Sequence, residues 1–297
     1  MNKLKTLTII GSGLMGSGIA QVSASSGYNV HLIDKNSESL EKSKSSILKN
    51  LQRVAKKKFT DGDQAANFVN DSISRIHTST DLMHAIKDSD LVIEAIVENL
   101  STKVEFFHSI DSMAPSPCIF ATNTSSLSVK SIAEAVQRKD RFIGLHFFNP
   151  VPVMKLLEVI KTSDTSESTL KTALEFGNSI NKKTVTCKDT PGFVVNRLLI
   201  PYMMEALRMY ERGVSTFEEI DIAMKLGAGH PMGPFELADY VGLDTIKFIM
   251  DGWSSQYPEE VQFKSCDTLN QLVSEKRFGC KSGQGFYTYD SMGHRVV

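Results

Sequence analysis

His146 and Glu158 are the residues of this chain best placed to move a proton. They stand twelve positions apart, the histidine within Gly144-Leu145-His146-Phe147-Phe148-Asn149-Pro150-Val151 and the glutamate inside an apolar stretch, Met154 to Ile160. The run Arg141 to Leu145 reads as a strand leading into His146, and Asn149-Pro150 then breaks it. An imidazole at the carboxyl end of a strand lies on the side of an open α/β sheet where ligands bind. A carboxylate beside that imidazole fixes its tautomer and favours its protonated form. The pair reads as a general base with an orienting partner. A structural histidine beside a surface glutamate would show the same spacing.

The elements that must position this pair alternate along the chain. Apolar strands are expected at Leu7 to Ile10, Tyr28 to Ile33, Leu91 to Ile96, Cys118 to Ala121 and Phe142 to Leu145. Helical patterns lie between them, including Ser101 to Ile110 and Ser128 to Val136, each opening on a serine suited to cap a first turn. Such alternation predicts a mainly parallel sheet with right-handed crossovers. More than fifty residues separate the strand ending at Asp34 from the one starting near Leu91, far more than a simple crossover needs. Asn36 to Phe59 reads as an amphipathic helix with Ile47, Leu51, Val54 and Ala55 on one face. Thr60 to Asp63 reads as a turn and Gln64 to Ile73 as a returning helix, so a helical hairpin is expected over about 36–76. Its first arm carries Lys42, Lys44, Lys49, Arg53, Lys56, Lys57 and Lys58, which form either a solvated face or a cationic lip for a phosphate-rich ligand.

From Asp189 the character changes. Thr190-Pro191-Gly192-Phe193 punctuates the chain, and helical patterns follow at Val194 to Tyr210, Thr216 to Leu226, Pro234 to Val241 and from Asp244 through Trp253. An all-helical second domain is therefore expected from near residue 190. Its apolar segment Pro201-Tyr202-Met203-Met204 fits a subunit interface as readily as a core.

Gly11-Ser12-Gly13-Leu14-Met15-Gly16 follows the first strand and opens a helix, and Asp34 ends the next strand. That context turns three glycines into a dinucleotide fingerprint. Gly11 allows the tight turn, Gly13 lets a pyrophosphate approach the backbone, and Gly16 permits close packing of helix on strand. The helix N-terminus offers amides and partial positive charge to phosphate. Asp34 would bind the ribose hydroxyls and repel a 2′-phosphate, which favours NAD over NADP; FAD is a further possibility. The fold class is α/β, a Rossmann-type mainly parallel sheet with an inserted helical hairpin, followed by an all-helical C-terminal domain.

Composition sets limits around this reading. The chain has 297 residues, 41% hydrophobic and 23% charged, with a formal net charge of −1. That balance is ordinary for a globular protein and gives no general pull toward nucleic acid or membranes. Cys118, Cys187, Cys266 and Cys280 lack metal-ligand spacing and read as unpaired thiols. The first strand is expected from about Leu4, so no targeting peptide is expected within this chain, with a presequence already removed as the alternative.

Gly-Leu-His-Phe-Phe-Asn-Pro at 144–150, Asn123-Thr124-Ser125-Ser126 and Lys188-Asp189-Thr190-Pro191-Gly192-Phe193-Val194-Val195-Asn196-Arg197 together resemble the L-3-hydroxyacyl-CoA dehydrogenases, above all the short single-function enzyme of fatty-acid β-oxidation. The resemblance implies NAD-dependent oxidation of (S)-3-hydroxyacyl-CoA to 3-ketoacyl-CoA by a homodimer joined through its helical domain. It implies an NAD-binding domain over 1–189 and a substrate and dimerisation domain over 190–297. His146 matches the family's catalytic base and Glu158 its carboxylate partner, while Ser125 and Asn196 match polar contacts near the reacting oxygen. For NAD, the fingerprint residues Gly11, Gly13, Leu14, Met15 and Gly16 are joined by Asp34, Glu98, Lys103, Asn149 and Lys281, with Ser125 shared by both ligands. For coenzyme A, Lys57 matches a lysine on the hairpin, and Asn50 stands where related enzymes often carry a serine. The mitochondrial matrix is the implied compartment, with cytoplasm as the alternative. Two other readings use a similar fold: a 3-hydroxyisobutyrate- or phosphogluconate-type dehydrogenase, which would rely on a catalytic lysine, and a non-catalytic protein like lens λ-crystallin.

Overall fold

In a computed structural model, which describes residues 4–296, the chain divides into two compact units, Met1–Phe193 and Val194–Val297. The first unit runs β1 (Thr6–Ile10), α1 (Leu14–Ser25), β2 (Asn29–Ile33), α2 (Ser37–Lys58), α3 (Gly62–Ser74), β3 (Ile76–Ser79), α4 (Leu82–Ile86) and β4 (Leu91–Glu94). It continues with α5 (Leu100–Asp111), β5 (Ile119–Thr122), α6 (Val129–Ala133), β6 (Phe142–Phe147), β7 (Leu156–Lys161), α7 (Glu167–Ser179) and β8 (Lys183–Lys188). One sheet of eight strands holds them in the order β3-β2-β1-β4-β5-β6-β7-β8. Its pairs are parallel except β6 with β7. The central strands are buried on both faces, as continuous runs such as Leu91-Val92-Ile93 require. The chain order reverses beside β1, between β2 and β4, and a crevice at such a reversal is where open sheets bind nucleotides.

The hairpin α2–α3 fills the long gap between β2 and β3. Asn36 caps α2 by accepting from the amides of Glu38 and Ser39, and Asp61 caps α3 by accepting from Gln64. Gly62 and Asp63 therefore belong to the helix rather than to a four-residue turn. The buried stripe of α2 runs through Leu40, Ser43, Ile47, Leu51 and Ala55, spaced three or four residues apart. Val54 lies beside that stripe and is exposed, against expectation.

Other boundaries moved for local reasons. β4 stops at Glu94, two residues short of Ile96, because the glutamate side chain takes the amide of Ile96 at 2.8 Å. Helix α5 is capped by Asn99, not Ser101, through a bond from the Thr102 amide. Ser128 does cap α6, which ends early at Ala133. β6 extends through His146 to Phe147, so the histidine lies inside the strand rather than after it. β7 starts at Leu156, not Met154, because Val153 and Met154 turn back on the Pro150 carbonyl.

The second unit holds α8 (Val195–Glu211), α9 (Phe217–Ala228), α10 (Pro234–Val241), α11 (Leu243–Gln256) and α12 (Asp267–Ser274). It is not wholly helical: β9 (Thr288–Tyr289) and β10 (Arg295–Val296) pair antiparallel. Two buried carboxylates tie its end to its helices. Asp221 accepts from the Phe235 and Glu236 amides and the Tyr287 hydroxyl, and Asp239 from the Phe286 and Tyr287 amides and the Tyr289 hydroxyl. Met203 and Met204 are 1% and 0% exposed, which makes that methionine pair core.

Candidate active site

The register of the β6–β7 pair sets His146 directly opposite Glu158. Side chains opposed in this way share one face of the sheet. Nδ1 of His146 lies 2.7 Å from Oε2 of Glu158, with the imidazole 5% exposed and the glutamate fully buried. The ring also packs against Phe148 and Phe193, with centroids 4.4 and 5.6 Å away. A carboxylate only accepts, so the neutral imidazole carries its proton on Nδ1 and presents a lone pair on Nε2. Asn123 holds the end of the same strand, its Oδ1 accepting from the Phe147 amide at 2.9 Å.

Gly11 and Gly16 meet the fingerprint's steric demands. Gly11 has φ +96°, and a Cβ added there would lie 2.5 Å from the Ala95 carbonyl oxygen. A Cβ on Gly16 would lie 1.8 Å from the Gly11 carbonyl oxygen, whereas one on Gly13 would meet nothing. Gly13 caps α1 without a side-chain bond, which leaves the amides of the first turn, Leu14, Met15 and Gly16, to a ligand or water. Asp34 accepts from the amide and hydroxyl of Ser12, both at 2.8 Å, and from the Asn36 amide. Burial raises its carboxyl, but these bonds outweigh it and hold the group below the ordinary aspartate range. A cleft of about 640 Å³ opens beside these residues, walled by Gly11, Gly13, Asp34, Ala95, Ile96 and Val97. The crowded glycine turn, the uncapped first turn and the acid at the cleft fit a dinucleotide.

A smaller groove of about 450 Å³ runs on the other side of Gly13, and Leu14, Asp34, Asn50 and Asn149 all line it. Lys57 follows Asn50 by seven residues on α2, hence on the same face, and is exposed.

Glu98 gathers the turn that carries Ser125. Its Oε1 accepts from the Thr124 hydroxyl at 2.7 Å and from the Ser125 and Ser126 amides at 2.8 and 3.1 Å. Burial pushes its carboxyl up, but the Lys103 ammonium and these bonds keep it below the usual glutamate value. Lys103 itself is fully buried, 2.5 Å from Glu94 and 3.4 Å from Glu98. Its ammonium pairs with these two carboxylates. Glu94 escaped sequence reasoning; the one available signal was an acid ending the buried run Leu91-Val92-Ile93. In the second unit, Asn196 lies in the first turn of α8, and Lys281 pairs with Asp244 at 2.5 Å. Among the described residues no group of three or more potential ligands could hold a metal ion, and no helix is long and apolar enough to cross a membrane.

The sheet order, glycine turn and acid at β2 define a dinucleotide-dependent oxidoreductase, with an oriented imidazole in the same unit. Residues 6–190 match the family described as 3-hydroxyacyl-CoA dehydrogenase, NAD binding domain, and residues 192–289 match its C-terminal domain. The chain thus belongs to the 3-hydroxyacyl-CoA dehydrogenase family, and its activity is NAD-dependent oxidation of 3-hydroxyacyl-CoA. It is 55% identical over 287 residues to the mitochondrial hydroxyacyl-coenzyme A dehydrogenase of Rattus norvegicus, covering 96% of this chain and 91% of the relative. A probable 3-hydroxyacyl-CoA dehydrogenase of Caenorhabditis elegans is 55% identical over 291 residues, covering 97% of this chain and 94% of that one. The crystal structure of (S)-3-hydroxybutyryl-CoA dehydrogenase from Ralstonia eutropha superimposes with a TM-score of 0.92 at 37% identity, covering 97% of this chain and all of the other.

Proposed function

We propose that His146 is the general base of this dehydrogenase and that Glu158 orients it. The 2.7 Å contact between Nδ1 and Glu158 carries the reading, because it leaves Nε2 as the proton acceptor. Nε2 takes the proton of the substrate's 3-hydroxyl, and the carbon–oxygen double bond forms as hydride leaves C3. NAD, when bound, accepts that hydride. Glu158 then faces an imidazolium, whose charge it stabilises in a buried setting. Ser125 and Asn196 hold the reacting oxygen and the adjoining thioester.

For the cofactor, the turn Gly11 to Gly16 takes the pyrophosphate and Asp34 the adenosine ribose. Asn149, Lys281 and Ser125 add further contacts, and Glu98 with Lys103 serves that side of the site. Asn50 and Lys57 on α2 hold the phosphate-bearing end of coenzyme A; the groove that Asn50 lines together with Lys42 supports this. The first unit is then the NAD-binding domain, and the second serves substrate and dimerisation. Exposed apolar side chains on α9, α10 and α11, among them Leu226, Tyr240 and Phe248, support a homodimer through the second unit. The names of the mammalian relatives support a mitochondrial location; the matrix and a place in fatty-acid β-oxidation rest on the family resemblance. NADH consumption tests the substrate class. With NADH, turnover is expected on acetoacetyl-CoA and none on free acetoacetate; with NAD, no NADH should form from 3-hydroxyisobutyrate or 6-phosphogluconate. Turnover on free acetoacetate at the rate of its CoA ester would overturn the coenzyme A assignment.

A further inference from the structure

β4 ends on a carboxylate with no exposed surface, Glu94. Its register partners are Ile10 on β1 and Thr122 on β5, so it stands at the middle of the sheet. Oε1 accepts from the Lys103 ammonium at 2.5 Å and from the Ile96 amide at 2.8 Å, while Oε2 accepts from the Thr122 hydroxyl at 2.6 Å. Lys103 reaches on to Glu98 at 3.4 Å, and Glu98 gathers Thr124, Ser125 and Ser126. A continuous polar chain therefore runs from the sheet centre to the turn that presents Ser125.

We propose that Glu94 is a positioning residue for hydride transfer: through Lys103 it sets the place of Glu98, and through Glu98 the turn that carries Ser125. The inference rests on the reading of Ser125 as a contact to the reacting substrate. One fully buried ammonium is shared between a fully buried acid, Glu94, and a partly exposed one, Glu98. Each acid limits how far the ammonium can lean toward the other, and in low dielectric that balance is stiff. Without the Glu94 charge, Lys103 moves wholly toward Glu98 and disturbs the acceptor that three successive residues share. Glu94 also holds the Ile96 amide, and Ala95 to Val97 wall the cleft beside Gly11. It thus fixes the cleft wall and the substrate turn from one point.

The test compares Glu94→Gln, Lys103→Met and the double variant in the full chain. The readouts are kcat, KM for acetoacetyl-CoA, NADH affinity and melting temperature. Misplacement near 1 Å in a site costs up to about 100-fold in rate, so each single variant is expected to lose roughly 10-fold or more in kcat. NADH affinity is expected to weaken too, because Lys103, Glu98 and the wall at Ala95 to Val97 border the cofactor cleft, so kcat is read at saturating NADH. The double variant should be no slower than the worse single, because both act through one chain. Multiplying losses in the double, or a Glu94→Gln variant that melts lower yet keeps kcat within twofold, would overturn the proposal. Should these variants not fold, Thr122→Val removes one bond to Glu94 and must lower kcat by the same route; unchanged kcat there counts against it. Ser125→Ala separates the two layers of the argument. If it is slow while Glu94→Gln is not, the positioning role alone fails. If it is fully active, the reading of Ser125 fails and the proposal falls with it.

Discussion

Lys182 is a buried ammonium whose bonded partners are the backbone carbonyls of Val151 and Met154. These carbonyls belong to the segment between β6 and β7, so the lysine fastens the connection between the strands of His146 and Glu158. Burial lowers its pKa from 10.5 to about 8, and the nearby charge of Lys155 adds to that. The sign of the pH effect follows. Between about 8 and 10.5 the unfolded chain binds a proton that the folded chain has lost, so this residue's contribution to stability grows as pH rises. Melting curves of wild type and Lys182→Met should therefore draw apart in favour of wild type between pH 7.5 and pH 10 (roughly the window of that shift). A difference that shrinks over the same range would contradict the assignment. Single residues were legible in the sequence where type and spacing carried the signal. His146 with Glu158 and the glycines with Asp34 were of that kind, and the structure joins them as a bonded pair and a walled cleft. Glu94 and Lys182 were not, because a buried charged group takes its meaning from partners far away in the chain, such as Thr122 or Val151.

At the scale of elements, the sequence betrayed central strands and long helices but not the margins of the sheet. β3 and β8 are its two edge strands. An edge strand needs no continuous apolar run, and Ile-His-Thr-Ser and Lys-Thr-Val-Thr-Cys-Lys do not have one. The lysines at both ends of β8 are the kind of residue that discourages pairing with another chain. Boundaries shifted where a side chain captured a backbone amide, as Asn99 does for α5 and Glu94 does beyond β4. The β6–β7 register matters most for chemistry. A slip of one residue would send His146 and Glu158 to opposite faces, since side chains alternate along a strand.

At the scale of the molecule, the second unit leaves apolar side chains in water while its own core is complete. Ile222 and Leu226, one turn apart on α9, are 51% and 84% exposed, and Phe248 on α11 is 61% exposed. Such side chains fit an interface better than a bare surface. Leu226→Asp combined with Phe248→Asp should convert a dimer of this chain to monomers in light scattering; a dimer that persists would remove this face from the interface. The central claim concerns one proton, and its most direct measurement is single-turnover hydride transfer in His146→Gln with acetoacetyl-CoA and NADH. Positioned acid–base catalysis supplies about 10²–10⁴-fold in rate. The transfer rate should therefore fall at least about 100-fold, with NADH binding unchanged. Transfer at close to the wild-type rate would contradict the account.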